Sequence, residues 1–306
     1  MTYKRVRHGC RQRVGRTLIP LAVIAYAGTA DAATITVTTV ADGVANDGNC
    51  TLREAVIAAN TDSAVDACTA GSGSDVIVLA AGTYTLSVTG AVEDASLTGD
   101  LDITSDITLQ GADAGTTIVR AGAISDRVIH VLSTGTATLQ QLTIRDGITR
   151  YGGGIFNAGT LTLTSCVVTA NTASGVAGSG GNGGAAGGGG GGIFNAAGAH
   201  LTLTGTSITS NIALGGAGQN AVRGGGGGAG GAAGGGLFND GGTVNGSSVT
   251  MTGNTATGGA GGSGQWCGPG VAGGGGGGFA GAGGGAGSFT TPGATALGGG
   301  GGSKGG

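Results

Sequence analysis

The sequence predicts an all-β chain: a right-handed single-stranded parallel β-helix, that is, a solenoid of stacked coils, with an N-terminal capping helix and Gly-rich inserts. Three observations predict it. Leu and Thr alternate with the period of two that turns successive side chains to opposite faces of a strand, as in Leu161-Thr162-Leu163-Thr164 and Leu201-Thr202-Leu203-Thr204. A unit with Phe and Asn at fixed places recurs: GGGIFNAGTLTLTSCVVTANTASG from Gly152, GGGIFNAAGAHLTLTGTSITSNIALGG from Gly190 and GGGLFNDGGTVNGSSVTMTGNTATGG from Gly234. Internal repetition of this kind marks a repeat architecture. Finally, Ile155, Ile193 and Leu237 fall 38 and 44 residues apart, although the patterned part of each unit is only about 22 residues. The excess is Gly, Ala and Ser, so length varies between the strands and not within them.

In chain order, residues 1–32 read as a secretion signal. Lys4, Arg5, Arg7, Arg11, Arg13 and Arg16 form a basic start, Leu18 to Ala27 is a short apolar run, and Ala30-Asp31-Ala32 supplies small residues for cleavage before Ala33. Ten apolar residues interrupted by Pro20 are too short to span roughly 30 Å of hydrocarbon, so no transmembrane span is expected in the mature chain. Without this leader the charge balance is 7 basic against 15 acidic residues, a net charge of −8. An acidic chain lacks the basic footprint that nucleic acid requires, which argues against a nucleic-acid partner.

Residues 33–151 form a capping region followed by the first coils. Asp75 to Leu79, Thr83 to Val88, Leu101 to Leu109, Thr116 to Arg120, Val128 to Leu132 and Thr136 to Ile144 are strand-like runs between Gly, Asp and Ser turns. One segment, Thr51 to Asn60, is helical in pattern, with Leu52, Ala55, Val56 and Ala59 on one face and Asn49 available as a cap. Laid across the first coil, such a helix would cover the apolar end of the solenoid and its open strand edges.

The run Asp47-Gly48-Asn49-Cys50-Thr51-Leu52-Arg53-Glu54-Ala55, with Cys68 and SDVIVLAAGTYTL after it, resembles the CSLREA domain of exported bacterial β-helix proteins. Thr51 stands where the family name has Ser. The GGGIFN units are similar, more loosely, to the repeats of polymorphic outer-membrane proteins. The resemblance covers roughly Thr34 to Gly259; it implies a β-helix, export and a surface setting, and it implies no reaction. Cysteine usage agrees with an oxidising compartment. A Cys50–Cys68 bridge around the helix would close a loop of about 19 residues, worth roughly 3 kcal/mol in the chain-entropy model. Nothing in the sequence decides how Cys166 and Cys267 pair.

Residues 152–257 are the Gly-rich repeats. From Gly152 onward lie 61 of the 76 glycines, and Asp240 is the single acid there. Stacking the units superposes Phe156, Phe194 and Phe238, and likewise two Asn series: Asn157, Asn195, Asn239 and Asn171, Asn211, Asn254. Coils at roughly 4.8 Å spacing would let rings stack and amides hydrogen-bond from coil to coil. The alternative is that Asn merely suits turns. The Gly tracts are expected as hydrated loops, with close-packed polyproline-like strands as the other reading. Residues 258–306, a Gly-rich tail, lose the alternation and are expected to be disordered.

No catalytic, cofactor-binding or metal-binding residues are assigned. Enzymes on this fold need clustered carboxylates, and the repeats lack them. The dense acidic group is Glu93, Asp94, Asp100, Asp102 and Asp106, near Arg120, Arg127, Arg145 and Arg150. Asp100 and Asp102 offer oxygen ligands to calcium, but carboxylates at strand ends are more often turn residues. His130 and His200 are far apart, and no CxxC spacing exists. The expectation is therefore a non-catalytic exported protein, extracellular or at the bacterial cell surface or outer membrane. It would be adhesin-like or structural, with a surface glycan or protein as partner. The alternative is a polysaccharide lyase or glycoside hydrolase working near Asp100 and Arg127.

Overall fold

In the computed structural model the residues described are 31–179, 185–220 and 229–264, with Met1 and the short strands Ala296–Leu297 and Ser303–Lys304. The chain is a right-handed parallel β-helix. Its seven-stranded sheet stacks Thr34–Thr36, Ser74–Val78, Asp106–Gln110, Thr136–Gln140, Thr160–Thr164, His200–Thr204 and Thr243–Ser247 in chain order. Every pair in it is parallel, and Val76, Thr108, Thr138, Thr162, Thr202 and Asn245 stand opposite one another in one continuous column. Three further faces complete the coil. A six-stranded sheet runs from Gly82–Leu86 to Thr250–Thr252, a five-stranded one from Leu101–Ile103 to Leu237–Asn239, and a four-stranded one from Ile148–Thr149 to Thr255–Thr257. Ser263–Gly264 pairs antiparallel with Ala296–Leu297, and a single antiparallel bridge joins Val65 to Cys68.

Two of the runs expected as single strands are each two strands meeting at a corner. Leu101 to Leu109 divides into Leu101–Ile103 and Asp106–Gln110, and Thr136 to Ile144 into Thr136–Gln140 and Thr143–Arg145. At the second corner Gln141 takes φ 54°, and Ser165, Gly205 and Ser248 repeat this left-handed turn one coil after another, at 52°, 56° and 54°. The turn resets the alternation, so that Leu139 and Ile144, which a straight strand would place on opposite faces, are both fully buried.

The core is built from columns. Ile35, Ile77, Leu109, Leu139, Leu163 and Leu203 lie in register at 1% exposure or less, each contributing on the order of 2 kcal/mol by burial. Under the four-stranded face the core changes character, for Ala173, Ala213 and Ala232 form a small separate cluster. Here the Gly tracts depart from the expected hydrated loops. Gly187 to Gly192 and Ala229 to Gly236 are buried, and Gly188–Gly189 pairs in parallel with Ala232–Ala233, which pairs in turn with Ser303–Lys304. A Cβ on Gly191 would stand 2.3 Å from the Gly235 carbonyl oxygen, so a bare backbone is what lets these segments close together. Residues 180–184 and 221–228, and nearly all of the expected disordered tail, lie outside the described residues.

The cap forms as a helix at Leu52–Thr61, its start differing from expectation. Thr51, not Asn49, is the N-cap: its hydroxyl accepts from the Glu54 N–H while the Glu54 carboxylate accepts from the Thr51 N–H. This reciprocal arrangement satisfies two donors that a helix start leaves open. Asn49 instead donates to Asp47. Leu52, Ala55, Val56 and Ala59 are buried in the main core, and the Cys50–Cys68 disulfide ties the segment before the helix to the one after it. Arg53 is fully buried beside them, paired with Asp42 at 2.8 Å.

Candidate functional site

The chemically active side chains gather where a long connection, residues 87–100, leaves the six-stranded sheet and returns to Leu101–Ile103. Arg53 holds this connection from beneath, donating to the carbonyl oxygens of Ser96 (3.0 Å), Gly99 (2.8 Å) and Asp100 (3.3 Å). Asn60, at the end of the helix, reaches the Asp102 carbonyl at 2.7 Å and accepts from the Thr104 N–H. The connection folds over itself: Glu93 accepts from the Ala95 and Thr98 N–H groups. Above it opens a cleft of about 300 Å³ lined by Glu93, Asp94, Asp100, Asp126, Arg127 and His130, among others.

Asp102 and His130 are register neighbours on adjacent strands of the five-stranded sheet. His130 Nδ1 lies 3.3 Å from Asp102 Oδ1 and 3.5 Å from Asp94 Oδ1. Asp102 is completely buried; its Oδ2 accepts from the Ser96 N–H at 3.0 Å, and its Oδ1 accepts no hydrogen bond. Arg127 Nε stands 3.5 Å from Asp100 and 3.9 Å from Asp126. Burial pushes the Asp100 carboxyl up to about 8, against the pull of Arg127 and helped by the nearby charges of Asp126 and Asp102. Burial raises Asp126 as well, opposed by the Arg127 N–H and guanidinium. The cleft thus combines a carboxyl that keeps its proton near neutrality with a fixed cation and an imidazole.

The acidic group seen in the sequence divides in space. Glu93, Asp94 and Asp100 line the cleft, Glu93 with its oxygens bound to its own loop; Asp102 is buried beside His130, and Asp106 accepts from Ser74 on the seven-stranded sheet. Arg120 and Arg145 converge on Asp146, each at 3.0 Å, and Arg150 lies over the Tyr151 ring. Asp126, beside Arg127, and His130 also line the cleft; for His130 the signal was the coil register, which aligns Asp102, His130, Phe156, Phe194 and Phe238 in one column. Along that column Phe156 and Phe194 stack at 5.0 Å and 4°, Phe194 and Phe238 are tilted by 45°, and His130 meets Phe156 edge-on at 5.3 Å.

The Asn series form two ladders that run from coil to coil. Asn157 donates to Asn195 at 2.7 Å and Asn195 to Asn239 at 2.8 Å; Asn171 donates to Asn211, and Asn211 to Asn254, both at 3.0 Å. Asn157, Asn171, Asn195 and Asn211 are fully buried. Cys166 is a buried free thiol, and Cys267 lies outside the described residues. Among the described residues no helix is long and apolar enough to cross a membrane.

Fold and site together define a class: a disulfide-capped right-handed parallel β-helix with one acidic, histidine-containing cleft near its capped end. No family model, no curated protein and no solved structure matches the chain.

Proposed function

We propose that this is an exported, non-catalytic β-helix protein of the CSLREA type, which works outside the cell or at the bacterial surface as an adhesin-like or structural element. One observation carries the reading. Past Tyr151 the coils continue in register while their ionisable groups nearly vanish, and the buried polar side chains there, Thr206 apart, are Asn amides engaged with one another. Such a stack invests its polar chemistry in rigidity and presents an uncharged, Thr-rich outer face at Thr162, Thr164, Thr202 and Thr204. A long regular face suits many weak contacts with a glycan or protein surface, whose combined strength exceeds that of any one contact. The basic start of the chain and the Cys50–Cys68 bridge favour export.

The cleft supports a second reading, polysaccharide cleavage, because a carboxyl that holds its proton to about pH 8 is a general acid in waiting and Arg127 would meet an acidic sugar. One assay separates the two. The purified chain is incubated with acidic and neutral polysaccharides, with and without calcium, while reducing ends and unsaturated products are followed. No product is expected; turnover that disappears in Asp100→Asn would overturn the non-catalytic reading.

A further inference from the structure

We propose that Asp94, Asp102 and His130 form a binding site for one divalent transition-metal ion, with zinc as the ion that fits best. The three donor atoms lie within 4.8 Å of one another. The two distances from His130 Nδ1 are 3.3 and 3.5 Å, and across the shorter one Asp102 Oδ1 accepts no hydrogen bond. They are the spacing expected between ligands that share an ion: tetrahedral bonds of about 2.1 Å place neighbouring ligand atoms about 3.4 Å apart.

The second observation is independent of that spacing. Asp102 is completely buried, yet its Oδ1 accepts no hydrogen bond and is aimed at the cluster. A buried carboxylate oxygen that accepts no hydrogen bond costs on the order of 1–3 kcal/mol, which an ion at this point would offset. The rest of the carboxylate is fixed as metal ligands commonly are: Oδ2 takes the Ser96 N–H, and the Ser96 hydroxyl accepts from the Asp102 N–H at 2.7 Å. Phe156 meets the imidazole edge-on at 5.3 Å.

An imidazole nitrogen with two carboxylate oxygens is a mixed donor set that suits zinc and its neighbours, whereas calcium prefers six to eight oxygens. Asp94 comes from the exposed part of the connection, so the fourth position faces the cleft and is open to water or to an oxygen of a ligand.

The test is calorimetric titration of the purified full chain, disulfide intact, with zinc chloride and separately with calcium chloride. The expected result is one zinc per chain, bound at least tenfold more tightly than calcium. Asp94→Asn, on the exposed connection, and His130→Phe, which extends the Phe column by one member, should each weaken zinc about 100-fold while circular dichroism and melting stay native. Ser96→Ala should weaken it about tenfold through Asp102. His200→Ala, at the described histidine outside the cleft, should change nothing. No binding by the native chain, equal affinity for calcium and zinc, or zinc binding that survives both Asp94→Asn and His130→Phe would each overturn the assignment.

Discussion

Replacing Asn211 by Ala tests whether the Asn ladders hold the coils together. The Asn211 amide donates to the Val168 carbonyl at 2.9 Å and to Asn254 at 3.0 Å, and its oxygen accepts from the Asn171 backbone N–H at 3.1 Å and the Asn171 amide at 3.0 Å. Each such bond is worth about 1 kcal/mol net. The truncation also leaves the Asn171 N–H buried with no acceptor. The expected loss is therefore about 4 kcal/mol, a large fraction of the stability of an ordinary domain. The assay is urea unfolding followed by circular dichroism, with the change read from the midpoint at constant slope. Asn254→Ala, at the half-exposed end of the ladder, should cost about half as much, because water reaches the groups it frees; Thr204→Ala, on the exposed outer face, should stay within about 0.5 kcal/mol. A cost at Asn211 below about 1 kcal/mol, or one no larger than at Asn254, would show that the ladder is incidental to a stack held by its aliphatic columns.

Arg53→Met keeps the side-chain bulk but strands the Asp42 carboxylate and three carbonyl oxygens, so it should destabilise the chain by about 3–5 kcal/mol, and Asp42→Ala in the same chain should recover part of the loss. Burial works against ionisation of Asp42, but the Arg53 hydrogen bonds and the Ser87 and Val88 N–H groups prevail and hold its carboxyl below the usual range; the stability it supplies is present above about pH 4 and is lost as pH falls further, which acid titration of the native chain against Asp42→Ala would reveal. Asp100 behaves oppositely: with its carboxyl raised to about 8, its contribution is complete below about pH 4 and declines as pH rises towards 8, so melting temperature should fall across that window and Asp100→Asn should flatten the fall. Removing the disulfide with Cys50→Ser and Cys68→Ser together should cost roughly 3 kcal/mol in urea unfolding, and a loss under about 1 kcal/mol would mean the cap is held by packing alone.

The coils were legible because Leu/Thr alternation and the GGGIFN units are local signals: a period of two states which side chains face inward, and repetition states which stand above one another. Corners were not, since Gln141, Ser165 and Ser248 carry no mark of their left-handed turn until the strands around them are placed. The Gly tracts were ambiguous for a related reason, as a residue without a side chain gives no periodicity and so cannot tell a packed wall from a loop. The cleft was half legible. Its acids were visible as a cluster, but His130 joins Asp102 through coil register, and Arg53 meets partners 43 to 47 residues further along the chain. No neighbour in sequence announces either meeting.

Along the repeats most of the variation in length falls at one corner. From Thr138 to Thr162 a coil closes in 24 residues, while the next, from Thr162 to Thr202, takes 40, and both ends meet their partners in register. Of the 16 additional residues, 14 fall between Ala173 and Ile193, where the shorter coil passes directly from Thr149 to Ile155, and two between Asn195 and His200, the counterparts of Asn157 and Thr160. Doubling such an excursion costs only about 0.6 kcal/mol in closure entropy, less than the burial of a single inward Leu is worth. Insertions and deletions there would leave every strand where it stands, so the girth of the protein on that side can drift over generations while its axis and its capped end stay constant.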